Sequence, residues 1–338
     1  MPSPPGPQTA TRPWRDGRND ICAALDLGTN NCRLLVARRR GDGFHVIDAF
    51  SRIVRLGEGL AATGRLSEPA MARTIAALRI CAAKVARSGA GRARYVATEA
   101  CRRAANCAEF VERVRCETGI RIEIISSDEE ARLVVAGCAP LLDPAVPRAL
   151  VFDIGGGSTE IAWLSLGEGG REAPRLLGFV SVPQGVVTLA DRYGGRAVTP
   201  EIYAAMVEEM RAAIAPFEAQ HEIAARVAAG EVQLLGSSGT VTTLAGVHLD
   251  LPRYDRNRVD GTLLGFDDIL SASRRLGTLS WEGRAAHPCI GDERADLVLA
   301  GCAILEAICL AWPVGKLVVA DRGVREGILL GFYRGAVA

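Results

Sequence analysis

Apolar and polar positions along the chain form short blocks that are separated by glycine turns. Residues 21–57 alternate like strands and contain two tight glycine turns, which predicts three consecutive antiparallel strands. Over residues 67–89 the apolar positions recur every third or fourth residue, with Ser67 at the start and Gly89 at the end. These features predict a helix. The rest of this unit is predicted to be a strand, a helix and a strand, over residues 92–100, 107–119 and 120–126.

The second half of the sequence repeats this order of elements. The segments ALDLGTNNCRLLV (24–36) and VFDIGGGSTEIAW (151–163) align without a gap on a strand, a glycine turn and a strand. Two copies of one βββαβ unit imply a duplicated fold with two facing halves. The later elements of the second copy are predicted to be a strand, a long helix, and a strand that enters a glycine turn and a helix, over residues 175–186, 199–220 and 232–246.

Composition excludes several classes of protein. The 338 residues suit two domains, and a cleft between domains is the first place to look for a site. The 40 basic and 39 acidic residues nearly balance, and no basic run is interleaved with aromatic residues, so we expect no nucleic-acid partner. Ten scattered cysteines, without metal-ligand spacing, are typical of a reducing cytoplasm. We therefore expect a cytoplasmic protein.

The longest apolar stretch, residues 295–315, approaches the length of a membrane span. Asp296 and Glu306 interrupt it and Pro313 closes it, so a buried core helix is the better prediction and we expect no membrane partner. Residues 1–20 are rich in Pro, Arg and Gly and lack the apolar stretch of a signal peptide. They are predicted to form a disordered tail.

Three glycine turns carry the candidate chemistry: residues 26–31, 153–159 and 236–240. Each follows an apolar strand, and glycine lets backbone N–H groups approach an anion without side chains in the way. One such turn is explained equally well as an ordinary hairpin, but three favour phosphate. A dinucleotide fingerprint fits poorly, because residues 160–164 alternate like a strand. The predicted phosphate-binding residues of these turns are Gly28, Thr29, Asn30, Asn31, Gly155, Gly156, Gly157, Ser158, Thr159, Ser237, Ser238, Gly239 and Thr240.

Six segments together resemble the exopolyphosphatase and guanosine pentaphosphate phosphohydrolase (Ppx/GppA) family, within the superfamily of actin, Hsp70 and sugar kinases. They are DLGTNNCRLLVA, VATEACR, ISSDEEARL, DIGGGSTEI, GSSGTVTTLAG and ERADLVLAGCAIL, in collinear order between Ile21 and Ala338. The resemblance implies an α/β fold of two duplicated ribonuclease-H-like domains with the active site in the cleft between them. We assign residues 21–125 to the first domain, which the C-terminal helix 322–338 could complete, and residues 126–321 to the second.

Hydrolysis of a phosphoanhydride needs an oriented water, neutralised phosphoryl oxygens and usually a divalent metal. Glu130 begins a predicted helix, and its spacing from Ser127 alone favours a capping box. The resemblance implies instead that Glu130 is the general base, and that Ser126 and Glu129 form the cap. Asp26 and Asp153 enter the first two turns, where each could hold a metal or stabilise its own turn. The expected cofactor is Mg²⁺, with Asp26, Asp153 and Glu130 as candidate ligands and Glu130 and Asp153 as catalytic residues.

Two arginines are candidates for the phosphates, because guanidinium groups bind phosphate oxygens with paired hydrogen bonds. The resemblance places Arg102 at the family's motif arginine, whereas Arg33 follows the first turn and depends on less. Glu293 and Arg294 match a Glu-Arg pair of the family, but they could equally be a helix-start charge and its partner.

The resemblance implies an exopolyphosphatase that releases terminal orthophosphate from polyphosphate. Guanosine pentaphosphate is the close alternative substrate. Two other classes of protein stay open: a non-catalytic alarmone sensor and a kinase of the superfamily. The resemblance also implies a homodimer and a short form without the C-terminal helical HD-type domain of longer members, from which we expect a preference for shorter chains. No guanine pocket is readable in the sequence.

Overall fold

A computed structural model describes residues 20–41, 43–167 and 173–334. The predicted tail therefore lies outside the described residues, apart from Asp20, and so do residues 335–338 of the expected C-terminal helix. The strands within the described part are β1 (Ile21–Leu27), β2 (Asn31–Arg40), β3 (Gly43–Ile53), β4 (Arg92–Ala97), β5 (Glu123–Ile124), β6 (Arg148–Ile154), β7 (Thr159–Ser165), β8 (Arg175–Val182), β9 (Val232–Ser237), β10 (Leu263–Gly265) and β11 (Lys316–Ala320).

The strands form two sheets with matching topology. The first has the order β3-β2-β1-β4-β5, and the second has the order β8-β7-β6-β9-β11-β10. In each sheet the first three strands in the chain are antiparallel neighbours, and the next strand pairs parallel with the first. The predicted duplication of an α/β unit is confirmed, with β10 as an additional edge strand in the second copy.

Helices cover these sheets. Their bounds are α1 (Leu60–Thr63), α2 (Glu68–Ser88), α3 (Glu99–Arg103), α4 (Cys107–Thr118), α5 (Ser127–Cys138), α6 (Val186–Tyr193), α7 (Pro200–His221), α8 (Ile223–Ala228), α9 (Gly239–His248), α10 (Arg256–Val259), α11 (Phe266–Thr278), α12 (Trp281–Ala285), α13 (Val298–Ala311) and α14 (Val324–Arg334).

The predicted ends of α2 are confirmed. The Ser67 hydroxyl accepts from the backbone N–H of Ala70 at 3.4 Å, and Gly89 adopts a left-handed φ of 68° after the last turn. The strand predicted over 120–126 is much shorter than its apolar pattern suggested. Only Glu123 and Ile124 form it, paired with the end of β4. The sheet edge therefore decides this strand's length.

Helices α5 and α14 lie between the two sheets and set the distance from one sheet to the other. The core cluster there joins Ala24 of β1, Val151 of β6, Val134 of α5 and Ile328 of α14. An ideal Cβ at Gly327 would stand 2.0 Å from the Leu133 carbonyl oxygen, so a side chain at that position would force α14 away from α5. Because α14 also contacts β1, β2 and β3, it packs on the first sheet. The domain boundaries assigned from the sequence stay a prediction.

The long apolar stretch is a core helix, as predicted. Helix α13 is buried along nearly its whole length, and Tyr203 donates a hydrogen bond to Glu306 at 2.7 Å. Asp296 precedes the helix and pairs with Arg55 of the first half. Across the described residues, no helix combines the length and the apolar character that crossing a bilayer would need.

Candidate functional site

The first two glycine turns have the same local geometry. Gly28 N–H donates to the Asn31 carbonyl at 2.9 Å, and Gly155 N–H donates to the Ser158 carbonyl at 2.9 Å. The strand register pairs Asp26 with Arg33 in the first turn. It pairs Asp153 with Glu160 in the second. Directly opposed residues of antiparallel strands share a face, so one turn joins opposite charges and the other joins like charges.

The two turns pack against each other. An ideal Cβ at Gly156 would stand 3.1 Å from the Thr29 Cβ, and one at Gly157 would stand 2.7 Å from the Thr29 Oγ1. Any larger residue at Gly157 would therefore push the first turn away. The glycines of the second turn are required by this close approach as well as by any ligand.

The third turn presents a helix N-terminus to the same space. Ser238 has φ 132°, a region that favours glycine, and its hydroxyl accepts from the N–H groups of Thr240 and Val241 at 3.2 Å each. Such strain in a non-glycine residue is concentrated at functional sites. An ideal Cβ at Gly239 would lie 3.6 Å from Arg33 Nη2 and 3.7 Å from Arg294 Nη1. Two guanidinium groups thus converge on the positive end of α9, which favours an anion.

A cavity of about 110 Å³ lies where the three turns meet. Most of the residues predicted from the sequence line it, and they come from both halves of the chain. They are Asp26, Gly28, Thr29, Asn30, Asn31, Arg33, Glu130, Asp153, Gly155, Gly156, Gly157, Ser158, Ser238, Gly239 and Thr240.

Three predicted phosphate ligands do not line the cavity and are engaged elsewhere. The Thr159 hydroxyl donates to the Gln184 carbonyl at 2.6 Å, and the Ser237 hydroxyl donates to the Arg322 carbonyl at 2.6 Å. Both strand positions direct their hydroxyls into neighbouring backbone, so these two assignments are corrected to structural roles. The Arg102 guanidinium lies between Glu99 and Glu130 and binds both carboxylates.

Glu130 is free of the helix cap. The N-cap of α5 is Ser126, whose hydroxyl accepts from the Glu129 N–H at 3.1 Å, while the Glu129 carboxylate pairs with Arg94. The capping box that the spacing alone favoured, with Ser127 and Glu130, is therefore wrong. The predicted N-cap Ser126 is confirmed, with the Glu129 N–H as its donor, whereas the Glu129 carboxylate binds Arg94 and does not close a capping box. Glu130 is 8% exposed and lines the cavity.

The carboxylates of the site repel one another. Burial and the nearby charge of Glu160 raise the pKa of Glu130 well above its usual range, and Arg102 opposes that rise. Burial and Glu160 also raise the pKa of Asp153 to about 7, with Arg33 acting in the other direction. Burial raises the pKa of Asp26, which Arg33 and Arg325 partly offset. The cluster is therefore suited to accept a cation or a proton.

The fit to Mg²⁺ depends on how many ligands the protein must supply. Within the described ranges, no group of three or more His, Cys, Asp or Glu side chains is arranged to hold an ion. The buried side-chain oxygens of Asn30 and Asn31 do lack hydrogen-bond partners. Mg²⁺ takes oxygen ligands and is commonly held by one or two carboxylates, substrate phosphates and waters. The residues fit an ion that arrives with a phosphorylated substrate better than a protein-only cage.

Sequence reasoning missed several residues of the site. Glu160 is buried beside Asp153, with its Oε1 accepting from Ser158 and Ser181 hydroxyls at 2.7 and 2.8 Å. The sequence does contain a signal for Glu160: it aligns with Arg33 when the two copies of the unit are compared, so both copies have a charged residue at this position. Arg294, for which the sequence allows two roles, lines the cavity, and burial together with Arg33 lowers its pKa. The other lining residues that were not singled out include Thr98, Glu99 and Thr243.

A larger groove opens beside the cavity. It has a volume of about 800 Å³ and shares Arg33 and Arg294 with the cavity. Tyr254, Arg256 and Arg325 contribute further to its walls. The two shared arginines therefore lie where the cavity and the groove meet.

Duplicated α/β halves with facing glycine turns and a carboxylate-lined cavity where the turns meet define an actin-like fold. Residues 35–334 match the Ppx/GppA phosphatase family, and the chain belongs to that family. The fold and family expected from the sequence are thereby confirmed.

Individual relatives agree with this assignment. The chain is 31% identical over 324 residues to exopolyphosphatase 2 of Mycobacterium tuberculosis, covering 91% of this chain and 97% of that one. It is 29% identical over 328 residues to guanosine-5'-triphosphate,3'-diphosphate pyrophosphatase of Photobacterium profundum, covering 93% of this chain and 60% of the relative's length. The crystal structure of the Aquifex aeolicus Ppx/GppA family member superposes with a TM-score of 0.74 at 28% identity, covering 94% of this chain and 99% of the other.

Proposed function

We propose that the protein releases terminal orthophosphate from inorganic polyphosphate, with Glu130 as the general base. The observation that carries this proposal is the position of Glu130, a buried carboxylate in one cavity with three glycine turns and two converging arginines. The turns supply N–H donors for phosphoryl oxygens, and Arg33 and Arg294 supply positive charge. The exopolyphosphatase of M. tuberculosis, which this chain matches along 97% of its length, supports polyphosphate as the substrate.

In the proposed reaction a water attacks the terminal phosphorus while Glu130 accepts a proton from it. The bond between the terminal phosphorus and its bridging oxygen breaks, and the shortened chain departs with that oxygen. Of the predicted ligands, Asp26 and Asp153 would hold Mg²⁺ together with the substrate phosphates while Glu130 stays free as the base, and the bound ion would neutralise negative charge on phosphate oxygens. Arg33, Arg294 and the N-terminus of α9 stabilise the charge that develops during transfer.

Guanosine pentaphosphate is the second candidate substrate. It presents the same terminal phosphoanhydride, and the relative from P. profundum carries that substrate in its name. The groove beside the cavity could receive either further phosphates or a nucleoside, since Tyr254 and several arginines line it. The bond that would break in the cavity is the same for both substrates, so a direct comparison of their rates of orthophosphate release distinguishes them.

The test measures orthophosphate release with Mg²⁺ from short-chain polyphosphate and, separately, from guanosine pentaphosphate. We expect Glu130→Gln to lower kcat about 100- to 10,000-fold, in the range that general bases contribute. Glu129→Gln is the matched control, because its carboxylate pairs with Arg94 outside the cavity. Equal loss in the two variants would reject Glu130 as the base. Binding without turnover in the wild type would instead favour a sensor.

A further inference from the structure

Most of the N–H donors of Arg102 bind protein groups. Its Nη1 donates to Glu130 Oε2 at 2.8 Å and to the Ile125 carbonyl at 3.0 Å, while its Nη2 and Nε donate to Glu99 Oε2 at 3.0 and 3.2 Å. A guanidinium group has five N–H donors in a fixed plane, so four of them are already engaged. Arg102 could bind a phosphate through two hydrogen bonds only by releasing one of these partners, a carboxylate or the Ile125 carbonyl. Arg102 therefore holds the Glu130 carboxylate in place, and we call the set of contacts that joins Glu130, Arg102 and Glu99 the clamp.

Glu99 holds the other side of this clamp. It begins α3, its carboxylate is three residues from Arg102 on the same short helix, and its side chain is 16% exposed. Arg103 also approaches it, at 3.9 Å. Glu99 lines the cavity, yet it binds arginine and not a turn or helix end. Two nitrogens of Arg102 donate to the same Glu99 oxygen, and the low exposure of both side chains strengthens this ion pair, so it restricts the position of Arg102.

Gly157 links this clamp to the second glycine turn. An ideal Cβ there would stand 2.9 Å from the Glu99 Cγ, so the glycine allows Glu99 to pack directly on the turn. A continuous series of contacts then runs from Gly157 to Glu99, to Arg102 and to Glu130. Glu130 faces other carboxylates, Glu160 and Asp26, and Arg102 is the cation that binds it.

We infer that Glu99 is a positioning residue for the reaction, which fixes Arg102 so that the guanidinium holds Glu130 in place for the attacking water. The inference depends on the proposed function of Glu130. Glu99 itself acts through Arg102 and takes no proton. Without Glu99, Arg102 loses two of its four hydrogen bonds and can rotate away from Glu130 or toward the bound phosphates.

The experiment compares steady-state kinetics of the wild type, Glu99→Gln and Glu109→Gln on short-chain polyphosphate. Because the glutamine amide keeps an acceptor oxygen but removes the charge that fixes Arg102, while the phosphate ligands remain, we expect Glu99→Gln to lower kcat about 10- to 100-fold with KM unchanged or lower. Glu109, exposed on α4 outside the cavity, is the matched control and should keep both constants. Equal kcat in Glu99→Gln and the wild type would overturn the inference.

A second variant separates positioning from folding. Arg102→Ala should lose kcat and regain part of it when free guanidinium is added, because the small cation can occupy the space between the two carboxylates. In the double variant Glu99→Gln/Arg102→Ala this rescue should be weaker. Equal rescue in the two backgrounds would contradict a role for Glu99 in holding the cation. Failure of the proposed function itself would have a different signature. In that case the wild type would release no orthophosphate from either substrate.

Discussion

The first and second glycine turns share a backbone and differ in charge. Residues 26–33 and 153–160 have the same length, the same hydrogen bond and the same strand register. At the last position the first turn has Arg33, which neutralises its aspartate, whereas the second has Glu160, which repels its own. The first turn carries side chains at Thr29 and Asn30, and the second has glycine at the equivalent positions. Duplication supplied the geometry, and divergence made the halves complementary.

The difference explains how two similar turns can build one site. Side chains of the first turn fit into the space that the glycines of the second leave open. Positive charge comes from the first turn and the α9 region, while the second turn adds carboxylates near Glu130. A phosphoryl group needs cations for its oxygens and a base for its water, so neither turn alone would suffice.

Reversing the charge of the first turn should have the largest effect. Arg33→Glu would place a like charge opposite Asp26, as Glu160 does opposite Asp153, and would remove one of two arginines that converge on α9. We expect kcat/KM for polyphosphate to fall about 1000-fold or more, measured by orthophosphate release. Arg38→Glu, exposed farther along the same strand, serves as control. A loss below tenfold would show that the paired charges do not distinguish the turns.

Filling the space between the turns should affect stability. Gly157→Ala would bring a Cβ within 2.7 Å of Thr29 Oγ1, so we expect the free energy of unfolding to fall by about 1–3 kcal/mol. Urea denaturation at equal m values provides the measurement. Gly28→Ala is the matched change in the first turn, where the nearest atom is the Asn31 carbonyl oxygen at 3.7 Å. If both variants lost the same stability, the side chains of the first turn would not fit specifically against the glycines of the second.

The aspartates should differ in their pH dependence. The pKa of Asp153 is raised to about 7, so its neutral form is favoured in the folded protein. Stability from this group is complete at pH values below the ordinary pKa of 3.8 and is lost as pH rises through 7. In EDTA, Asp153→Asn should therefore be about 1–2 kcal/mol more stable than the wild type at pH 8.

Asp26→Asn should gain less stability, since Arg325 as well as Arg33 opposes the rise in the pKa of Asp26, whereas Glu160 adds to the rise at Asp153. Thermal unfolding at pH 5 and pH 8 distinguishes the two variants. An equal gain at both aspartates would mean that Arg33 and Glu160 have no differential effect.

The smallest expected effect concerns the other side of the first turn. The Asn30 carbonyl accepts from the N–H groups of Val54 and Arg55 at 2.8 and 3.0 Å, and Arg55 pairs with Asp296 of the second half at 3.0 Å. Because this pair is partly exposed, Arg55→Met should cost about 0.5–1 kcal/mol, and high salt should reduce the difference. Unfolding in urea with and without salt is the measurement, and Arg65→Met, at an exposed position after α1, is the control. A salt-independent loss would exclude an electrostatic contribution.

The local sequence pattern predicted most of the helices and strands. It failed where contacts with distant residues decide the structure. The capping serine and terminal glycine predicted α2 because both act within one turn of the helix. The strand over 120–126 was overestimated, since its length depends on where β4 ends. Thr159 and Ser237 were assigned to phosphate from their place in the turns, but each hydroxyl bonds to backbone more than twenty residues away along the chain.

The sequence by itself determined the duplicated units and the three glycine turns, because periodicity and motifs are local or collinear properties. The family resemblance added Asp26, Asp153 and Glu130 as candidate site residues. Only the tertiary structure decided that Arg102 clamps Glu130, that Glu160 opposes Asp153, and that Gly157 makes room for Thr29 and Glu99. These are contacts between segments far apart in the chain. Their strength depends on distance and burial, which folding alone fixes.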